Sequence, residues 1–230
     1  MNNNIYGLAK EEKNTYDLIS SDQKEKISDL EVLDHWNIRA KRDDVQAVMS
    51  ARHSLSENDK ATVELQNEIK SFLGYLIVDK RIFELGVGIG RMTGFLAKSN
   101  SYVYGIDFSE IMLNRAKENL KNYKNIKLFL GKITDLSVKT KFDLVFESIV
   151  LLHILNPEEL KWTIEKMKEL SDSIFIVEHT FESEDFPISR YAILRKPEEY
   201  ENLFKPYKLV KIKEHLCAGD KFTLMLFKKI

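Results

Sequence analysis

The 230-residue sequence has one cysteine, so an internal disulfide framework is excluded; Cys217, in a strand-like stretch near the C-terminus, reads as a packing residue in a reducing compartment. Charge of one sign is equally lacking. The 35 Lys and Arg balance 36 Asp and Glu to a net charge of -1, which gives no general field for nucleic acid or an anionic membrane, so any anion site must be local. Apolar runs are strand-length, too short to span a bilayer, and the opening Met1-Asn2-Asn3-Asn4 begins no basic-then-apolar leader, so a cytoplasmic protein is expected. His35, His53, His179 and His215 are dispersed, with no pair at ligand spacing, and no metal is expected. Internal repeats and low-complexity tracts are absent. The length suits one large domain, or one domain with a cap.

What is present is a strand that stops at a glycine turn, Ile82-Phe83-Glu84-Leu85-Gly86-Val87-Gly88-Ile89-Gly90-Arg91. Alternating glycines let the backbone pass close to a ligand and turn into a helix. In the dinucleotide fingerprint the third glycine lies three positions after the second. Here that place is Arg91, and the third glycine is Gly90.

From Lys80 onward strands and helices alternate. Strands are expected at Arg81 to Leu85, Tyr102 to Ile106 (ending at Asp107), Ile126 to Leu130, Phe142 to Phe146 and Ile174 to Val177. Helices are expected from Arg91, from the Ser109 cap and from Asn156-Pro157-Glu158-Glu159, where a cap, a proline in the first turn and two acids mark a start. This alternation means a parallel sheet covered by helices. Lys208 to Cys217 and Lys221 to Phe227 are separated by three residues, which forces an antiparallel pair. Upstream, Ser56 with Asp59 offers a helix cap before Ala61, Leu65, Ile69 and Phe72. Residues 1–56 read as an N-terminal helical arm or cap and 57–230 as the ligand-binding domain. Within the arm, the basic stretch around Trp36 packs on the domain or covers its ligand.

Ligands in such sheets bind at the carboxyl ends of the strands, where strand order reverses. Glu84 with its glycines, Asp107, Gly131-Lys132-Ile133-Thr134 and Glu147-Ser148 all fall there. A carboxylate at Asp107 can accept both hydroxyls of a ribose.

Together with the final hairpin, "FELGVGIGRMTGFLA", "VYGIDFSEIMLNRAKENL", "LFLGKITDL" and "FDLVFESIVLLHI" resemble the S-adenosylmethionine-dependent methyltransferases of the Rossmann-like class, over about residues 80–230. The resemblance implies a seven-stranded, mostly parallel sheet of order 3-2-1-4-5-7-6 with the last strand antiparallel. It implies S-adenosylmethionine as cofactor, with Gly86, Gly88 and Gly90 near its methionine part, Glu84 at the turn or amino group, and Asp107 on the ribose. Phe108 and Met112 would sandwich adenine with Ile133, and Glu147 and Ser148 would lie near the sulfonium. Lys132 stands where many relatives carry an acid that accepts from the adenine amino group; a lysine cannot accept, and Asp135 is the nearby substitute.

Methyl transfer from a sulfonium needs alignment and exclusion of water more than a catalytic side chain. An ionised carboxylate, phosphate or phosphonate oxygen would need no base; for an alcohol, phenol or amine, His153, Glu147 and His179 are the candidates. Trp36, Arg39 and Arg52 in the cap, with His179, Arg190 and Arg195 after the fifth strand, would border an acceptor pocket, where arginines could clamp an anion. The expected acceptor is therefore a small molecule, methylated at oxygen, with neither nucleic acid nor membrane as partner. A nucleotide-dependent oxidoreductase and a catalytically silent cofactor-binding module are the alternatives.

Overall fold

The computed structural model describes residues 20–42, 44–49, 53–99, 101–137, 140–180, 189–217 and 220–230. Arg52 and the first part of the expected arm, residues 1–19, lie outside these described residues. The strands are β1 (Arg81–Leu85), β2 (Tyr102–Asp107), β3 (Ile126–Leu130), β4 (Leu144–Ser148), β5 (Ser173–Glu178), β6 (Lys208–Cys217) and β7 (Asp220–Lys228). They form one sheet of order β3-β2-β1-β4-β5-β7-β6. β1 pairs in parallel with β2 and β4, and β7 runs antiparallel to both β5 and β6. This is the expected order. The point at which strand order reverses lies between β1 and β4, where the loops after both strands open.

Helices α1 (Ser21–Lys24), α2 (Asp29–Arg39) and α3 (Leu55–Leu73) precede the sheet; α4 (Arg91–Ala97), α5 (Glu110–Asn119), α6 (Pro157–Leu170) and α7 (Pro197–Phe204) connect its strands. The start of α3 corrects the sequence reading. Its cap is Ser54, which shares a reciprocal capping box with Glu57, and Ser56 lies inside the first turn. The S-x-x-E spacing wins because the glutamate returns a bond to the cap's own amide, which Asp59 does not do for Ser56. The expected division between arm and domain thus falls within α3. A second S-x-x-E box, Ser28 with Glu31, starts α2. At α6, Asn156 accepts from the amides of Glu158 and Glu159 at 2.9 and 3.0 Å, a cap worth about 1 kcal/mol.

Two apolar layers sandwich the sheet. Leu65, Ile69 and Phe72 of α3 pack with Leu96, Phe146 and Phe175 on one face; Ile164 and Met167 of α6 and Phe204 of α7 pack with Phe83 and Phe227 on the other. The segment from α1 to residue 49 is fastened over the strand ends. Arg115 of α5 donates to the carbonyls of Ala40 and Arg42, both at 2.7 Å, Ser109 Oγ donates to Asn37 Oδ1 at 2.7 Å, and Lys24 Nζ to the Ala192 carbonyl at 2.7 Å. The Arg39 guanidinium lies 5.3 Å over the Trp36 ring and donates to the carbonyls of Gln46, Ala47 and Met49. It ties α2 to the following turn. We expect Arg39→Ala to destabilise the fold by about 1–3 kcal/mol, the cost of leaving partly buried acceptors unmatched, measured as a fall in denaturation midpoint.

Candidate cofactor and acceptor site

One cavity opens at the ends of β1, β2 and β4, roofed by Asp29, Val32 and Trp36 of α2 and by Val48. Its wall includes Glu84, Gly86, Gly88 and Asp107, and further round Phe108, Met112, Lys132 and Ile133. Ser148 and His153 complete the set of sequence-predicted residues that the fold brings together there.

The glycine turn works at two different contacts. Gly86, at φ +74°, is pressed against Val150, whose Cγ2 would sit 2.2 Å from an added Cβ. Gly90, at φ +88°, faces α5 instead: an added Cβ would meet Leu120 Cδ1 at 2.6 Å, and Gly90 is not part of the cavity wall. The close approach of Gly90 in this structure is between turn and helix, whereas Gly86 and Gly88 line the cavity.

Asp107 holds the turn. Its Oδ2 accepts from the Gly88 amide at 2.7 Å and Oδ1 from the Ser109 amide at 2.9 Å, leaving lone pairs on both oxygens. Burial pushes its carboxyl up to about 6 despite those amides. Glu84 is 2 % exposed, its Oε2 has no partner, and burial, with Asp107 nearby, pushes it up to about 8. Arg91, the residue that displaces the third glycine, also lines the cavity and lowers Glu84 somewhat by its charge. In the sequence Arg91 stands out only as a break in the glycine spacing; its position after the turn, opposite an acid at the end of β1, is the signal that marks it as a site residue.

Lys132 carries a different partnership from the one expected. Its ammonium meets Asp29 of α2 at 2.5 Å and Glu159 of α6 at 2.7 Å, so it bridges roof and floor. Burial opposes ionisation of Asp29, but the Lys132 contacts outweigh it and hold Asp29 below its ordinary value; for Glu159 burial wins and raises it. Asp135 accepts the Lys132 amide on Oδ2 at 3.1 Å, which closes the turn 133–135, and it is not part of the cavity wall.

His153 lies on a short 3-10 turn, Leu151–His153. Its Nδ1 is 2.6 Å from the Tyr191 carbonyl, which can only accept, so the proton is on Nδ1 and Nε2 is the acceptor. Burial pulls its pKa down to about 4, and the Trp36 ring packs edge-on at 4.9 Å. Ile149, which also lines the cavity, has φ +60°, a left-handed conformation that a β-branched residue rarely adopts.

Several expected site residues stay away from the cavity wall. Glu147 is wholly buried and accepts from the Val150 and Leu151 amides, so it is tied to the turn that follows β4. Arg195 is 7 % exposed and donates to the Leu151 and Ile154 carbonyls, both at 3.0 Å. Arg190 lies 5.6 Å over the Tyr191 ring. His179 is held by the Lys221 carbonyl at 3.0 Å and the Phe222 ring at 4.5 Å. Together with Arg39, these placements mean that no arginine clamp for an anion forms from the described residues of the expected set.

Comparison with known proteins fits this architecture. Residues 82–172 match the family model described as a methyltransferase domain. Phosphoethanolamine N-methyltransferase 1 of Zea mays is 27% identical over 179 residues, which cover 74% of this chain and 34% of that protein. A probable cobalt-precorrin-6B C(15)-methyltransferase of Methanococcus maripaludis is 40% identical over 67 residues, 28% of this chain and 37% of that one. The chain thus spans about a third of the length of the curated relatives it matches. Among solved structures, the N-methyltransferase NodS of Bradyrhizobium japonicum, in complex with S-adenosylhomocysteine, superposes with a TM-score of 0.69 at 15% identity, covering 86% of this chain and 98% of that one. Magnesium protoporphyrin IX methyltransferase of Synechocystis, with S-adenosylmethionine bound, gives 0.61 at 17%, covering 93% and 99%. The methyltransferase-domain match thus runs from inside β1 to just before β5, and the sheet of order 3-2-1-4-5-7-6 around it has the fold of these solved methyltransferases.

Proposed function

We propose that the protein transfers a methyl group from S-adenosylmethionine to a hydroxyl, ionised oxygen or amine of a small molecule. The observation that carries this reading is the cavity at the strand ends, where Glu84, Asp107 and Ser148 face one space roofed by Trp36. The residues fit the donor. Glu84 Oε2 is a buried acceptor without a partner, suited to an ammonium, and Arg91 beside it suits the accompanying carboxylate. Asp107 retains lone pairs for two hydroxyls, and Phe108, Met112 and Ile133 offer an apolar slot for a flat ring. Bound there, the cofactor supplies an activated methyl on an excellent leaving group.

The chain's task is then to align and to keep water out. Trp36 and Val32 close the apolar roof, Ser148 brings a hydroxyl with no protein partner, and Nε2 of His153 accepts a hydrogen bond from an acceptor's O–H or N–H. A conjugate acid near 4 holds a proton poorly at neutral pH, so His153 serves better to orient the nucleophile than to store its proton. The relatives named phosphoethanolamine N-methyltransferases favour a phosphate-bearing amine as the first acceptor to try.

The test is a mass-spectrometric screen of phosphoethanolamine, small carboxylates, phosphates, phenols and amines with S-adenosylmethionine, alongside calorimetry with S-adenosylhomocysteine and NAD. We expect S-adenosylhomocysteine to bind, NAD not to, and one acceptor class to gain a methyl. Binding of NAD alone would return the site to the oxidoreductase reading, and cofactor binding with no methylation of any class would favour the silent module.

A further inference from the structure

At the ends of β4 and β5, below the cavity, lie two carboxyl groups that the proposed methyl transfer leaves unused. Glu147 and Glu178 are both 0% exposed. Glu147 Oε1 accepts from the amides of Val150 and Leu151, the latter at 3.3 Å, and Glu178 Oε1 accepts from the Leu152 amide at 3.1 Å. The other oxygen of each has no hydrogen-bond partner, and the two carboxyls lie close enough to act on each other's charge. Two ionised carboxylates cannot occupy such a site, because each would be both desolvated and repelled. One proton between them resolves the conflict.

Their joint work is on the turn that carries His153. Three consecutive amides, Val150 to Leu152, end on this pair, while those of His153 and Ile154 close back on the carbonyls of Val150 and Leu151 at 2.9 and 3.2 Å. Arg195 takes the Leu151 and Ile154 carbonyls, and the Ile193 amide takes that of Leu152 at 2.8 Å. Just upstream is Ile149, whose left-handed backbone is strained for a β-branched residue and persists only where its surroundings over-determine it. The capture of the three following amides is that over-determination.

We propose that Glu147 and Glu178 are a proton-sharing pair of positioning residues: while they share a proton they hold the strained turn 149–154, and so fix the place and tautomer of His153. Losing the last shared proton makes them repel and frees the turn. The groups facing them are Arg195, from the segment before α7, whose charge favours an ionised Glu178, and Tyr200 of α7, whose buried hydroxyl is disfavoured as an anion beside them. Burial raises both carboxyls, Glu178 to about 7 and Glu147 well above its ordinary range, so each holds its proton to higher pH than a free carboxyl does. Only the catalytic consequence of this inference rests on the proposed function.

The test is nitrogen-edited NMR of the His153 ring, assigned by its loss in His153→Gln, in wild type, Glu147→Gln and Glu178→Ala from about pH 6 to pH 10, with circular dichroism alongside. In wild type the Nδ1–H form is expected to persist through neutral pH and be lost at alkaline pH before global unfolding. Glu147→Gln, whose amide donates permanently, should keep it across the range. Glu178→Ala should already show mixed tautomers and a titration moved toward the ordinary histidine value at neutral pH. An identical tautomer and pH response in all three proteins would overturn the proposal. If Glu178→Ala fails to fold, the comparison of wild type with Glu147→Gln decides alone. These readouts need no ligand, so absence of S-adenosylhomocysteine binding in a parallel titration would sink the methyl-donor reading while leaving the pair standing.

Discussion

Asp107→Ala is expected to weaken S-adenosylhomocysteine binding by about 100-fold or more. Two hydrogen bonds from ligand hydroxyls to a buried carboxylate, each worth about 1.5–3 kcal/mol, set that scale. The same carboxylate also holds the Gly88 and Ser109 amides, so part of the loss comes from a slackened turn. Ser109→Ala is the control for a loosened neighbourhood: it removes the α5 cap on the Met112 amide at 3.2 Å and the Oγ bond to Asn37 but keeps the Ser109 amide on Asp107, and should cost about 1 kcal/mol of stability with little loss of affinity. Calorimetric titration of both variants checks the expectation; an equal loss of affinity in the two would show that Asp107 does not meet the ligand.

Affinity for S-adenosylhomocysteine should also rise with pH by about tenfold per unit between about pH 6 and pH 8. The sign follows from Glu84. Burial raises its carboxyl to about 8 without ligand, so it is mostly protonated below that pH, whereas pairing with a ligand ammonium requires the ionised form. Binding must therefore expel a proton, and each unit of acidification makes that tenfold harder. The rise should level off above about pH 8, and affinity should fall again once the ligand's own amino group deprotonates. Glu84→Gln should bind more weakly and with a flat profile over the same window. A flat profile in wild type would mean that Glu84 does not meet the ammonium.

Most of the sheet is legible in the amino-acid sequence. β1 has the expected bounds, Arg81–Leu85, because an apolar run ending at glycines leaves no other register. The final hairpin is forced by the three residues between Cys217 and Lys221. Strand ends carry ligands in such folds, so position alone singles out Glu84, Asp107 and Ser148, and the cavity holds all three. The arginines illustrate the opposite case. A guanidinium in a loop looks the same in sequence whether it awaits an anion or is already bonded to backbone carbonyls, and Arg39 and Arg195 are of the second kind.

Glu147 and Lys132 mark the same boundary. Period-two alternation tells which side of the sheet a residue faces, but not that Glu178 on the next strand lies against Glu147, nor that Asp29 and Glu159, far apart in sequence, converge on one ammonium. Local and periodic features are written in the chain itself: the final hairpin through its loop length, helix starts through caps, and the glycine turn through its spacing. Folding in three dimensions settles which charges pair, which carboxyls are buried enough to keep their protons, and that Gly90 packs on Leu120 while Arg91 faces the cavity. These depend on distances between residues remote in the chain, which composition and spacing do not encode.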